Sequence, residues 1–170
     1  KGIYIYDKKG DKYIDLIAGV SACTLGHSNP KINAAIKKQL KKYTHIMVYG
    51  EYIQEPQVKL AEKLAKNLPK KLNCSYFVNS GTEAIEGAIK LAKRVTFRPE
   101  IVSCQGSYHG STQGALSIIG CEKQKATYRP LIPHSKHIIF NDIESLNVIT
   151  EHTAAVVIEP IQGATGFIMP

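Results

Sequence analysis

Apolar residues recur with helical spacing in three stretches of the chain. Ile32, Ala35, Ile36, Leu40 and Tyr43 mark the first, opened by Asn29 as a cap and Pro30 in the first turn. Val58, Leu60, Ala61, Leu64, Ala65 and Leu68 mark the second, which begins at Pro56 and stops at Pro69. In the third, Ala84, Ile85, Ala88, Ile89, Leu91 and Ala92 share a face, while Glu83, Glu86, Lys90 and Lys93 fall largely elsewhere. Ser80 and Glu83 make an S-x-x-E capping box, so this helix starts with Gly81 and Thr82 in its first turn.

Short apolar or alternating runs predict the strands. Residues 3–7 and 12–16 flank Lys8-Lys9-Gly10-Asp11 in the pattern of a β-hairpin. Phe77-Val78, then 101–104, 138–140 and 154–159, predict further strands, and Asn141 and Asp142 predict the cap of a short helix reaching Ile149. Residues 18–30 read as loop. Residues 43–55, with Tyr49, Gly50 and Tyr52, read as a connecting segment that puts a boundary near residue 50. Strands and helices alternate from Leu60 onward, which predicts an α/β layer with a mainly parallel sheet.

The candidate chemistry lies where predicted strands end. A helix N-terminus has unpaired N–H groups and the positive end of the helix dipole, which together attract a phosphate. Gly81 permits close approach, and Thr82 and Ser80 carry hydroxyls, although a Ser80 hydroxyl spent on capping is not free for a ligand. An ordinary capped helix with nothing bound is the other local reading. In parallel sheets ligands sit beyond the carboxyl ends of the strands. Ser80-Gly81-Thr82, Tyr108-His109 and Glu159-Pro160-Ile161-Gln162-Gly163 all follow predicted strands, so these loops are expected to line one crevice for a phosphate-bearing ligand.

Composition narrows the class. With 170 residues, 44% of them hydrophobic, the chain can build a real globular core. No apolar run approaches the roughly 20 residues of a membrane span, and the N-terminus lacks a signal-peptide layout, so the cytoplasm and no membrane partner are expected. The net charge of +8 raises nucleic-acid binding. The lysines, among them Lys37, Lys38, Lys41, Lys42, Lys59, Lys63 and Lys66, fall mostly on polar helix faces without interleaved aromatics, so solvated surface explains them and no nucleic-acid partner is expected. Cys23, Cys74, Cys104 and Cys121 are scattered and suit free thiols in a reducing compartment. His134 and His137 suit surface histidines, and no metal is expected.

These motifs together resemble the class III pyridoxal-phosphate aminotransferases, the group of the ornithine, acetylornithine and 4-aminobutyrate enzymes. The resemblance runs nearly end to end: Tyr13-Ile14-Asp15-Leu16 with Gly19, Leu25-Gly26-His27 with Pro30, Asn79-Ser80-Gly81-Thr82-Glu83-Ala84 with Glu86, Tyr108-His109-Gly110, and Glu159-Pro160-Ile161-Gln162-Gly163. It implies the fold-type-I α/β architecture, with residues 1–50 in a small domain and 51–170 opening the large cofactor domain. It implies a homodimer, pyridoxal 5′-phosphate as cofactor, and amino-acid and keto-acid substrates such as 2-oxoglutarate. Carried over by position, Ser80, Gly81 and Thr82 belong to the phosphate site, Tyr108 stacks on the ring, and His109 and Glu159 stand beside it, with Gln162 a polar neighbour. The family's covalent lysine is expected downstream of the Glu-Pro loop. No lysine here matches it, so the segment is expected to be inactive alone.

Two departures bear on substrate. Ser111 stands where the acetylornithine branch commonly has Arg, and Ala164 where the ornithine branch often has Glu. Three alternatives remain open: an aminomutase or decarboxylase of the same cofactor, a non-catalytic phosphate-ligand-binding α/β module, and a serine hydrolase using Ser107 or Ser80 with His109. The module lacks G-x-G-x-x-G and the P-loop Gly-Lys, and the hydrolase lacks a G-x-S-x-G elbow.

Overall fold

Local chemistry sets the N-terminal elements. Strand β1 (Tyr4–Tyr6) pairs antiparallel with β2 (Lys12–Ile14), Tyr4 opposite Ile14, as the hairpin pattern predicts. The Asp7 carboxylate closes the turn by accepting the Lys9 and Asp11 amides at 2.9 and 3.0 Å. Helix α1 (Pro30–Leu40) starts where expected, because Asn29 Oδ1 accepts the Lys31 and Ile32 amides and Pro30 needs no acceptor for an N–H. Helix α2 (Glu55–Asn67) ends at Leu68, whose backbone is extended ahead of Pro69. No residue of α1 or α2 is buried.

The computed structural model describes residues 1–47 and 50–170, and they divide into two units, Lys1–Asn73 and Cys74–Pro170. Helix α2 falls in the first unit. Tyr49, named in the connecting segment, lies outside the described residues.

The second unit is an α/β layer. Helix α3 (Gly81–Thr96) leads to strand β3 (Glu100–Cys104), and the short helices α4 (Gln113–Ser117) and α5 (Glu122–Lys125) lead to β4 (Ser135–Ile138). A 3-10 turn over Glu144–Val148 precedes β5 (Thr153–Val157). The sheet is parallel with order β4-β3-β5, Ile101 lying opposite Ser135 on one side and Ala155 on the other. Every residue of β3 is buried. Its side chains alternate between two cores: Ile101 packs with Ile89 and Ile118, and Val102 and Cys104 pack with Ile138.

The structure corrects five sequence expectations. Strand β5 ends at Val157, short of the expected 159, because the pairing with β3 stops at Val157. Phe77 and Val78 join no strand among the described residues, because a strand needs a ladder partner that an apolar run cannot reveal. Strand β4 lies earlier than 138–140, since pairing with β3 selects Ser135–Ile138 and leaves Ile139 half-exposed. The helix expected after Asn141 is the 3-10 turn, with Asp142 Oδ1 accepting the Glu144 amide. The apolar face of α3 is wider than the core it covers. Ile85, Ile89 and Ala92 pack inward, while Leu91 is 62% exposed.

That division is testable by urea unfolding of point variants. Ile89→Ala should cost about 2 to 5 kcal/mol through a cavity, whereas Leu91→Ala should cost under about 0.5 kcal/mol.

Candidate functional site

Helix α3 begins as the capping box requires, with one shift. Ser80 Oγ accepts the Glu83 amide at 3.3 Å, but the Glu83 carboxylate takes the amide of Asn79, at 2.6 Å, in place of that of Ser80. The Ala84 amide goes to the Ser80 carbonyl. The Gly81 and Thr82 amides are left as the open donors of the first turn. A Cβ built on Gly81 would meet nothing within 4 Å, so the approach to these amides is clear.

The loop after β3 comes next to this turn. Gly110 has φ +125°, and a Cβ on it would stand 2.9 Å from Thr82 Cα, so only glycine lets the loop pass this closely. Thr82 Oγ1 and Thr112 Oγ1 are 2.6 Å apart, and the Thr112 amide donates to Thr82 Oγ1 at 3.3 Å. Glu86, one helical turn on from Thr82, reaches the same segment. Its Oε1 accepts the Thr112 hydroxyl at 2.6 Å and the Gly114 and Ala115 amides at 2.7 and 3.1 Å. Burial pushes the Glu86 carboxyl up, but these donors and nearby Lys90 outweigh it and hold the group below its ordinary range.

Glu159 clips the other side. It lies two residues beyond β5, and its oxygens accept the Tyr108 amide at 2.7 Å and the Gly163 amide at 3.0 Å. Gln162, 2% exposed, donates through Nε2 to the Gln105 carbonyl at 2.8 Å. Tyr108 is half-exposed, whereas His109 is buried and its Nε2 has no hydrogen-bond partner. Burial also pushes the His109 pKa down, which keeps the imidazole neutral at neutral pH.

The structure thus brings together the residues singled out from the sequence: Ser80, Gly81 and Thr82 meet the Tyr108-His109 loop through Thr112, and Glu159 and Gln162 hold that loop from beyond β5. Glu86 and Thr112 were not assigned a role from sequence, and no local pattern announces a bond between residues 26 apart. The serine-hydrolase alternative loses its nucleophiles. Ser107 is buried and donates to the Cys104 carbonyl at 2.6 Å, and Ser80 is the helix cap.

His137 departs from the expected surface histidine. It is half-buried, with Nδ1 3.0 Å from Ser103 Oγ and Nε2 3.0 Å from the ammonium of buried Lys125. His134 is exposed.

Comparison with known proteins defines the class. The sequence model of the family described as Aminotransferase class-III matches residues 1–170, and the chain belongs to that family. It is 42% identical over 167 residues to the acetylornithine aminotransferase of Archaeoglobus fulgidus, covering 98% of this chain and 44% of the relative. It is 38% identical over 171 residues to the acetylornithine aminotransferase of Methanopyrus kandleri, covering 100% and 43%. The chain therefore spans less than half the length of these relatives.

Solved structures agree on the fold. The taurine:2-oxoglutarate aminotransferase of Bifidobacterium kashiwanohense, in complex with pyridoxal phosphate and glutamate, superposes with TM-score 0.87 at 31% identity, over 100% of this chain and 44% of that one. The adenosylmethionine-8-amino-7-oxononanoate aminotransferase of Methanocaldococcus jannaschii gives 0.91 at 30% identity, over 99% and 42%. These proteins share the α/β layer with its parallel sheet, of which this chain is part.

Pyridoxal 5′-phosphate is the cofactor of the class, and the residues present fit it. Open amides at the start of α3 suit its phosphate, the half-exposed Tyr108 ring suits its flat face, and the unpartnered His109 Nε2 is a buried polar atom beside the same loop that still lacks a partner.

Two tests follow from this geometry. Gly110→Ala should destabilise the protein by about 2 kcal/mol or more in urea unfolding, from steric overlap with Thr82 and a strained φ. The folded Glu86 carboxyl lies below its unfolded value of 4.5, so its contribution is complete above that pH and is lost as pH falls through the folded value. Glu86→Gln should accordingly shrink the loss of unfolding free energy between neutral and acid pH.

Proposed function

We propose that this chain is the N-terminal part of a pyridoxal-phosphate-dependent transaminase that moves an amino group from an amino acid to a keto acid such as 2-oxoglutarate. On this reading residues 1–50 contribute to a small domain and residues 51–170 open the large cofactor domain, in a cytoplasmic homodimer. The observation that carries it is the start of α3, where two open amides stand beside the loop of Tyr108, itself clipped at its amide by Glu159.

The cofactor, when bound, supplies the electron sink that acidifies the C–H next to the transferred nitrogen. The chain's own residues do the holding. The Gly81 and Thr82 amides, at the positive end of α3, would receive the phosphate. Tyr108 would offer its ring to the flat face of the cofactor, and the Glu159 bond to its amide fixes the backbone from which that ring projects. His109 is neutral, buried and able to donate or accept at Nε2, so it stands as a fixed polar wall of the site. Glu159 has both oxygens engaged by amides and acts as an orienting group. The lysine that the family would use for covalent chemistry matches none of the lysines at positions 1–170.

The donor is an ω- or α-amino acid. Ser111 is exposed and cannot pair a carboxylate as Arg would, and Ala164 carries no charge. Both weigh against acetylornithine and ornithine as the particular donors, although relatives of the chain carry the acetylornithine name.

Mixing the chain with pyridoxal phosphate tests this reading by absorbance, with borohydride reduction and peptide mapping afterwards. The expected result is a reversible signal weakened by inorganic phosphate, with no reduced lysine, and about tenfold weaker in Tyr108→Ala. A specific adduct on one lysine, or no binding at all, overturns it.

A further inference from the structure

The Thr112 hydroxyl sits between two oxygens and has one hydrogen to give. Its Oγ1 is 2.6 Å from Glu86 Oε1 and 2.6 Å from Thr82 Oγ1. An ionised carboxylate only accepts, so the Thr112 hydrogen goes to Glu86. The short contact between the two threonines must then be bridged by the hydrogen of Thr82. Thr82 Oγ1 also accepts the Thr112 amide at 3.3 Å. In this arrangement the Thr82 hydroxyl is turned inward and offers no hydrogen to a group at the start of α3.

We propose that Thr112 is a positioning residue that shares its single hydroxyl hydrogen between Glu86 and Thr82. Thr82 thereby faces inward when the α3 N-terminus holds no anion, and turns its hydrogen to a bound phosphate only when Thr112 releases Glu86. The proposal rests on the reading that a phosphate group binds at this helix end.

The surroundings make the exchange well defined. A Cβ on Gly114 would overlap the Glu86 carboxylate, so α4 is packed directly on that group from one side. The Gly114 and Ala115 amides remain on Glu86 Oε1 whichever way Thr112 points, so the carboxylate stays partnered when the hydroxyl leaves. Lys90, from the same helix, is the charged group acting on Glu86, and α4 and the Gly110–Thr112 loop face it with amides and one hydroxyl. Phosphate binding through Thr82 thus competes with a charge-assisted hydrogen bond, the stronger kind. Removing the Thr112 hydroxyl removes the competition and frees the Thr82 hydrogen.

The direction of the effect distinguishes this from simple support of the loop, whose loss would weaken binding. In the intact polypeptide, Thr112→Val should tighten binding of pyridoxal phosphate and of inorganic phosphate on the order of tenfold by equilibrium dialysis. Thr112→Ser should bind as the parent does. The gain should vanish in the Thr82→Val background, which has no hydroxyl to release. Unchanged or weaker binding by a folded Thr112→Val protein overturns the proposal, and Thr112→Ala supplies the same comparison where the valine variant does not fold.

A second readout needs no ligand. The Glu86 carboxyl, followed by carbon NMR, should titrate at higher pH in Thr112→Val and at the parent's pH in Thr112→Ser. A parent protein that binds neither phosphate compound overturns the proposed function. The Glu86 titration tests the Thr112 hydrogen bond to Glu86 by itself: no change in Thr112→Val overturns that bond and the proposal with it.

Discussion

Burial of β3 on both faces is the constraint on which the second unit depends. A strand with no exposed residue must be hydrogen-bonded along both edges and covered above and below, and β4, β5 and the two cores meet those needs. Its carboxyl end then has to turn without leaving buried polar groups unpaired. The Gln105 amide donates to the Ile138 carbonyl, and the Cys104 carbonyl accepts from the Ser107 amide and hydroxyl. Gly120 passes so close that a Cβ there would run into the Cys104 carbonyl. The chain is thus fixed from the last strand residue to Tyr108. This is why an aromatic ring and a histidine emerge at the sheet's carboxyl edge in a defined place.

Two carboxylates do for the irregular segments what the ladder does for the strands. Glu159 collects the amides of Tyr108 and Gly163, and Glu86 collects two amides and a hydroxyl from the Thr112–Ala115 stretch. Both carboxylates orient backbone, Glu86 through Oε1 alone and Glu159 through both oxygens. Their charge is balanced by the dipoles of these donors, so the positive end of α3 keeps its pull on an anion. Most of the loop's anchoring therefore comes from these carboxylates and leaves the Gly81 and Thr82 amides open.

Much of the arrangement was legible where the cause is local. Asn29 with Pro30, and Ser80 with Glu83, start helices because cap chemistry acts within one turn, and the glycine-flanked Tyr108-His109 loop stood out because it follows a buried strand. The failures share the opposite cause. Phe77 and Val78 have strand-like side chains, but pairing is a property of two segments. Strand β4 begins on the polar Ser135 because register with Ile101 decides it, not hydrophobicity. Glu86 looked like an exposed helix position, and its role depends on a loop that the sequence places far away.

The buried Lys125 shows the same logic for a charge. Its ammonium donates to the Ile119 carbonyl at 2.8 Å and to His137 Nε2 at 3.0 Å, which leaves His137 Nδ1 to donate to Ser103 Oγ and Ser103 to donate to the Ile118 carbonyl at 2.5 Å. Every hydrogen in this chain has a single consistent direction, provided that His137 is neutral. Burial, with Lys125 beside it, pushes the His137 pKa down and keeps it so. Burial also pushes the Lys125 pKa down, a shift that in isolation would suggest a reactive amine. The geometry argues otherwise. Lys125 Nζ is a double donor closing the end of α4 onto β4, and the Glu122 carboxylate 4.0 Å away is its third neighbour. A lysine buried and held by its partners in this way has a structural place in the fold.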